Sequence, residues 1–200
     1  MKGKIYFFHK KILREREFDI PLYLDEELLK PVWYEHPKYK NLVDVVAIRI
    51  FQKPVTEDAQ DDLIIYQPIG EEAEWKKWKT GDKLTVLGYP YGLQSTPGAI
   101  WITGHIATDP NFNYIVDGEP IDAFLIDSRT RFGQSGSPVI CRFNPGEDSV
   151  EWKGVKLTPI GYMDFFLGVY SGRINADSDL GYVWKPSIIR EIVNEIESSL

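Results

Sequence analysis

The sequence has a single cysteine, Cys141, so an internal disulfide is excluded. Cys141 follows a serine-containing turn and is interpreted as a small core residue of a strand. No apolar run reaches the roughly 18 residues that a membrane-spanning helix needs. The apolar stretch 5–8 near the start is too short for a signal peptide, and a basic segment follows it. These absences predict a chain without membrane association, in a reducing and therefore cytoplasmic compartment.

Positive charge is also scarce. Lysine and arginine number 23 against 30 acidic residues, giving a net charge of −7 and a pI near 5.1. A nucleic-acid partner is not expected, because its binding surface would be basic. Cysteine and histidine form no cluster with the spacing of metal ligands, so no metal is expected.

What the chain does have is core material and many short strands. Its hydrophobic share is 43% with six tryptophans, as in a globular domain. Predicted strands cover residues 4–8, 17–23, 41–50, 83–87, 99–107, 121–126, 136–142, 155–162 and 165–173. The first two are expected to form a hairpin with a charged connection over 10–16. Residues 185–200 carry apolar positions at spacings of three and four and predict one amphipathic helix.

The segment Arg131-Phe132-Gly133-Gln134-Ser135-Gly136-Ser137-Pro138 has the composition of a nucleophile turn. Its glycines permit the backbone angles of a tight turn that projects a serine hydroxyl, with backbone N–H groups close by. Turns rich in glycine, serine and proline are also common as plain loops, which is the alternative.

A second segment, residues 41–50, is an apolar and β-branched run that contains one acid, Asp44. A carboxylate in such a strand must be hydrogen-bonded or paired, because an isolated buried charge is costly. Asp44 is interpreted either as a capping or turn residue at the start of the strand, or as the acid that orients a catalytic histidine.

Four motifs in this order resemble the trypsin-like serine peptidases of the chymotrypsin fold, in particular the bacterial, disulfide-free group with a GxSGSP turn. They are Asp44-Val45-Val46-Ala47-Ile48, Gly88-Tyr89-Pro90-Tyr91-Gly92, Gly133-Gln134-Ser135-Gly136-Ser137-Pro138 and Gly168-Val169-Tyr170-Ser171-Gly172. The resemblance implies an all-β fold of two packed antiparallel barrels, the first one incomplete, with a C-terminal helix. It divides the chain into a partial first barrel (1–51), a connection (52–80), a second barrel (81–184) and the helix (185–200).

The same resemblance implies the site. Ser135 attacks a peptide carbonyl, the N–H groups of Gly133 and Ser135 form the oxyanion hole, and Asp44 orients a histidine. The strand through Tyr170, Ser171 and Gly172 pairs with an extended peptide or protein substrate, and no cofactor is implied. Three charged residues lie either in the primary specificity pocket or simply at the surface: Asp127, Arg129 and Asp179.

The histidine itself is the difficulty, since the sequence has three: His9, His36 and His105. In the family it precedes the acid, after three strands that need roughly 20 residues or more. His9 has too little chain before it, His36 lies in a loop just upstream of Asp44, and His105 follows the acid. Each is better interpreted as a surface or structurally satisfied residue. The resemblance starts near residue 18, so we expect the first strands of the barrel to be missing and a partner to cover the exposed edge.

Two alternatives stay open at this point. If the serine has no base, the site can still bind a peptide but does not activate the serine. The chain would then be a non-catalytic peptide-binding or scaffold module on the same fold. The other alternative is an unrelated all-β structural domain in which the motifs are coincidental.

Overall fold

Residues 2–9, 12–19, 22–24, 27, 30–48, 78–93, 98–152 and 155–198 are described by the structure, a computed structural model. The strands are β1 (Lys2–His9), β2 (Ile12–Asp19), β3 (Trp33–Tyr34), β4 (Ala47–Ile48), β5 (Lys83–Gly88), β6 (Ile100–Ile106), β7 (Tyr114–Val116), β8 (Glu119–Ile121), β9 (Ala123–Ser128), β10 (Pro138–Phe143), β11 (Val150–Trp152), β12 (Val155–Leu157), β13 (Met163–Arg173) and β14 (Leu180–Trp184). One α-helix, α1 (Pro186–Ser198), follows them. The described part is therefore mostly β, as the sequence predicted.

Six of these strands close into an antiparallel barrel in the order β10-β13-β14-β9-β6-β5. Closure leaves these strands without an exposed sheet edge, apart from segments that extend beyond their ladders. The barrel interior is filled by buried apolar side chains from all six strands: Leu84, Val86, Ile106, Phe124, Ile126, Val139, Cys141, Phe143, Leu167, Tyr170 and Val183. The prediction that Cys141 is a core residue is confirmed.

A second apolar cluster lies where α1 meets the barrel. It contains Val43, Ile121, Ala123, Trp184 and Ile188. The helix buries Ile188 and Ile192 and packs against β13 and β4. This cluster matters for the site because Val43, only 2% exposed, comes directly before Asp44 in the chain. The predicted helix is confirmed, and within the described residues no helix has the length and apolar character needed to cross a bilayer.

The predicted strand over 41–50 is wrong in most of its length. Residues Lys40–Leu42 form a turn of 3-10 helix, and only Ala47–Ile48 are in a strand, paired with Trp33–Tyr34. The run is apolar because Val43 packs in the second cluster. Tertiary packing thus overrides the strand propensity of the β-branched residues.

The predicted N-terminal hairpin is present, with different bounds. β1 and β2 pair from Lys2 with Asp19 to His9 with Ile12, so most of the supposed connection over 10–16 belongs to β2. The charged residues of 12–16 were predicted to form a connection, but an antiparallel strand can also carry charged side chains on a solvent-facing side. Tyr23, placed in that strand from the sequence, instead forms an isolated bridge with Pro31.

The described residues contain one closed barrel, and the incomplete first barrel stays a prediction. Before the barrel, β1–β2 and β3–β4 are two-stranded units. The predicted connection over 52–80 lies outside the described residues except for 78–80. Four short strands, β7, β8, β11 and β12, form two further hairpins. The strand predicted over 155–162 is limited to Val155–Leu157 (β12), and β7, β11 and β14 were not predicted.

Gly168 offers a test of the barrel packing. It has φ +145, and a Cβ there would overlap the carbonyl oxygen of Trp184. Gly168→Ala is expected to lower the free energy of unfolding by about 2–4 kcal/mol through overpacking and backbone strain. The matched control is Gly161→Ala, because Gly161 has open space around it and no positive φ. Urea unfolding of both variants measures the difference, and equal stabilities would contradict the described packing.

Candidate active site

The serine turn lies between β9 and β10 and is held by the neighbouring strand. Gly133 and Gly136 have φ +91 and +84, the left-handed values that favour glycine. The Gly136 N–H donates to the carbonyl of Tyr170 at 2.7 Å, and the Tyr170 N–H donates to the carbonyl of Ser137 at 2.8 Å. The Ser135 side chain is exposed at the tip of the turn. The predicted turn conformation is therefore present.

Gln134 fixes the turn from the buried side. Its side chain is fully buried, and its Oε1 accepts the backbone N–H of Arg131 at 2.7 Å. Its own backbone carbonyl accepts the N–H of Ser137 at 3.0 Å. The side chain of Gln134 therefore holds the start of the turn and its backbone carbonyl holds the end, so Ser135 lies on a fixed backbone.

Two backbone donors of this turn remain available. Within the described residues, the N–H groups of Gly133 and Ser135 have no hydrogen-bond acceptor, whereas those of Gln134, Gly136 and Ser137 are all used. Unpaired N–H groups beside a nucleophile are the donors that an oxyanion needs. These are the two donors that the family resemblance implies for an oxyanion hole.

The second glycine motif supports the serine turn. The Tyr91 N–H donates to the carbonyl of Phe132 at 2.7 Å. A Cβ on Gly133 would lie 3.0 Å from the carbonyl oxygen of Tyr89, so the two turns pack closely. A Cβ on Gly88 would overlap the Ser137 hydroxyl. Gly88 leaves room for the Ser137 side chain, whereas Gly133 combines a close approach to the 89–92 backbone with a positive φ that favours glycine.

Asp44 is bound to the barrel by two side chains. The Ser171 hydroxyl contacts both carboxylate oxygens, at 2.8 Å and 2.7 Å. The indole N–H of Trp184 donates to Oδ1 at 2.6 Å. Both are charge-assisted hydrogen bonds, the stronger class. They fix the direction of a carboxylate whose residue is otherwise exposed.

Asp44 and Ser135 are brought to adjacent residues of β13. Asp44 binds Ser171, and a Cβ placed on Gly172 would lie 3.8 Å from the Ser135 hydroxyl oxygen. The pairing of β13 with β14 shifts register between Tyr170 and Gly172, leaving Ser171 without a partner on β14. Such irregularities redirect side chains beside active sites. From the sequence, Ser171 was predicted to pair with the substrate backbone. Trp184 was not identified as a hydrogen-bond donor to Asp44.

In the strand predicted to bind substrate, 170–172, Tyr170 is already hydrogen-bonded to the serine turn, whereas the next two residues are open on the β10 side. Tyr170 uses its backbone N–H and carbonyl on the serine turn, and its side chain is buried in the barrel. Its hydroxyl pairs with that of Thr130, and burial raises its pKa. The β10–β13 ladder ends at Val169, so on that side residues 171–173 have no ladder partner within the described part. This short open edge lies beside Ser135.

The three charged residues considered for the primary pocket, Asp127, Arg129 and Asp179, are all exposed at the surface. Asp127 and Arg129 are exposed at the end of β9. Asp179 lies 3.8 Å from Nη1 of Arg131, at the surface. Among the residues that the structure describes, no group of three or more side chains could hold a metal ion.

No described imidazole contacts Ser135 or Asp44. His105 is exposed on β6, opposite Lys83 and Asp127. The side chain of His9 lies outside the described residues. His36 is fully buried and has a structural role.

His36 anchors the turn that leads to Asp44. Its Nδ1 accepts the backbone N–H groups of Lys38 and Tyr39, each at 3.2 Å. Its Nε2 lies 3.2 Å from Oε2 of Glu191 on α1, outside hydrogen-bond geometry. Burial lowers the pKa of His36, with the Lys38 charge adding to this effect and Glu191 opposing it. The neutral imidazole is therefore the form that the fold accommodates.

Comparisons with known proteins give little further information. No protein-family model matches the sequence, and no curated protein matches it. Among solved structures, the chain is similar to the crystal structure of Rv3671c from M. tuberculosis H37Rv, a serine-to-alanine mutant in its inactive form. The identity is 21% and the TM-score 0.39, over 62% of this chain and 51% of that chain. The match thus spans about half the length of Rv3671c, and we draw no family assignment from it.

His36 predicts a pH dependence of stability. Its pKa is lowered in the folded state, so the unfolded chain binds the proton more readily as the pH falls below about 6.5. The contribution of His36 to stability is therefore complete above that pH and decreases as the pH falls toward the folded-state pKa. Urea unfolding of the wild type between pH 7.5 and 5 is expected to show this loss.

The matched variant is His36→Asn, whose side-chain oxygen can accept the same backbone N–H groups without titrating. It is expected to remove the His36 part of the slope, whereas His36→Ala also loses about 1–3 kcal/mol at pH 7.5. Slopes that are identical in the wild type and His36→Asn would contradict the role of this imidazole.

Proposed function

We propose that this chain carries the nucleophile and the acid of a trypsin-like serine endopeptidase. The observation that supports this most strongly is the meeting of Asp44 and Ser135 at Ser171 and Gly172 of β13. The unpaired N–H groups of Gly133 and Ser135 add a second, independent feature of acyl transfer. Coincidental motifs in an unrelated β-domain would not be expected to converge in this way.

Each residue then has a defined task. The Ser135 hydroxyl attacks a peptide carbonyl, and the carbonyl oxygen gains negative charge beside the N–H groups of Gly133 and Ser135. The hydroxyl proton must pass to a base during this step. Asp44 does not take that proton; its carboxylate orients an imidazole and stabilises the charged imidazole that forms.

An extended substrate would pair with the open edge of β13. Residues 171–173 offer backbone donors and acceptors without a ladder partner on the side of the serine turn. A peptide added there as a further strand gains main-chain hydrogen bonds, while side-chain contacts supply selectivity. Its carbonyl would then reach Ser135 from the Gly172 side.

A non-catalytic peptide-binding module is the second candidate, and one observation favours it. The described part of the chain places no imidazole between Asp44 and Ser135. The open edge and the two free N–H groups would still bind a peptide, but the serine would lack its base. The two candidates share the same binding site and differ in whether Ser135 is activated.

Two expectations about cellular context are part of the proposal. A reducing, cytoplasmic compartment is consistent with a sequence whose single cysteine, Cys141, is buried. A partner that covers the N-terminal strands would protect their edges from non-specific pairing.

Exogenous imidazole provides a direct test of the site. If the acid and nucleophile are preformed and only the base is absent, imidazole is expected to increase fluorophosphonate labelling of Ser135 by about tenfold or more. Peptide mapping by mass spectrometry locates the label. Ser135→Ala should abolish it, and a label on another serine would count against the proposal.

The role of Asp44 has its own control. Imidazole has an N–H that can donate to Asp44 while its second nitrogen accepts the Ser135 proton, whereas 1-methylimidazole has no N–H. In the wild type, imidazole is therefore expected to increase labelling more than 1-methylimidazole does. In Asp44→Asn, the two added bases are expected to increase labelling to the same extent. Labelling without any added base that disappears in His9→Ala would identify His9 as the base. Absence of labelling under every condition, with peptide binding retained, would favour the non-catalytic module.

A further inference from the structure

Three exposed apolar residues belong to the serine turn or to the neighbouring turn that packs against it. Tyr91 is 65% exposed, Leu93 51% and Phe132 84%. Isolated exposed apolar residues are ordinary in proteins, but a backbone hydrogen bond from the Tyr91 N–H to the carbonyl of Phe132 joins two of these residues. Leu93 follows Tyr91 at the end of the same turn. We refer to Tyr91, Leu93 and Phe132 as the apolar rim.

The backbone of the rim is strained in a way that packing does not explain. Tyr91 has φ +54, a conformation that is unfavourable for a bulky residue and that clusters at functional sites. Its ring is mostly exposed, so burial in the core does not compensate for the strain. A contact made only when a ligand is bound would account for keeping an aromatic residue there.

The position of the rim relative to Ser135 follows from the two glycines beside it. Gly172 of β13 lies on one side of the Ser135 hydroxyl, and Gly133 packs against the turn that carries Tyr91. Phe132 directly precedes Gly133, whose N–H is unpaired within the described residues. Consider a peptide that pairs with the open edge at 171–173 and places a carbonyl oxygen at the Gly133 N–H. The residues that follow this carbonyl would then lie at the rim.

We propose that the apolar rim binds apolar or aromatic side chains of a peptide, in the residues that follow the carbonyl attacked by Ser135. The inference rests on the proposed function and specifies its substrate class, a peptide with an apolar segment after the reacting bond. Phe132 and Tyr91 would be residues that determine specificity, because they contact the substrate and not the reacting atoms. Burial of one such side chain corresponds to roughly a tenfold to hundredfold gain in affinity.

Equilibrium binding tests this without requiring catalysis. The probes are two fluorescein-labelled alanine-based octapeptides, one with Phe-Leu and one with Ser-Ser at the fifth and sixth positions. Fluorescence anisotropy is expected to give a Kd about tenfold lower or more for the Phe-Leu peptide. The Phe-Leu peptide should also slow fluorophosphonate labelling of Ser135 in imidazole, which places it across the serine.

Variants of the rim make the test specific. Phe132→Ser and Tyr91→Asn are expected to remove most of the difference between the two peptides, and asparagine tolerates the positive φ at position 91. Phe132→Leu should retain it. The matched control is Phe112→Ser, because Phe112 is 69% exposed but lies in a different loop, next to Lys185.

The outcomes separate this inference from the proposed function. Labelling of Ser135 with equal Kd values for both peptides, or with no effect of Phe132→Ser, would overturn the rim and leave the endopeptidase site standing. Preferential binding of the Phe-Leu peptide that depends on Phe132, without any labelling, would support the rim on a non-catalytic module. If neither peptide binds, the rim is refuted whatever the labelling shows.

Discussion

The carboxylate of Asp44 is the constraint on which the candidate site depends. It accepts hydrogen bonds from Ser171 on β13 and from Trp184 on β14, so it connects a segment before the barrel to two neighbouring barrel strands. The preceding residue, Val43, is buried in the cluster that contains Trp184 and Ile188. Polar contact and apolar burial therefore act on consecutive residues and hold this part of the chain in one place.

β13 organises the rest of the site from its own backbone. Tyr170 pairs with the serine turn on both of its backbone groups, Ser171 holds the acid, and Gly172 lies beside the Ser135 hydroxyl. Three consecutive residues thus position the serine turn, the Asp44 carboxylate and the space beside the Ser135 hydroxyl. A site built on a strand of a closed barrel is more rigid than one built on loops alone.

The sequence identified the features that depend on local chemistry. The glycines around Ser135 indicated a tight turn, and the spacing of apolar residues in 185–200 indicated α1. It did not identify Trp184 as a ligand of Asp44, because those residues are 140 positions apart and only the fold brings them together. The strand expected around Asp44 was wrong for the same reason, since long-range packing of Val43 decides the local conformation.

The contact between Asp44 and β13 can be measured directly by a double-mutant cycle. Unfolding free energies of the wild type, Asp44→Ala, Ser171→Ala and the double variant give the coupling between the two side chains. A charge-assisted hydrogen bond predicts a coupling of about 1–2 kcal/mol. A coupling within about 0.5 kcal/mol of zero, the level found for distant sites, would contradict the contact that brings Asp44 to β13 beside Ser135.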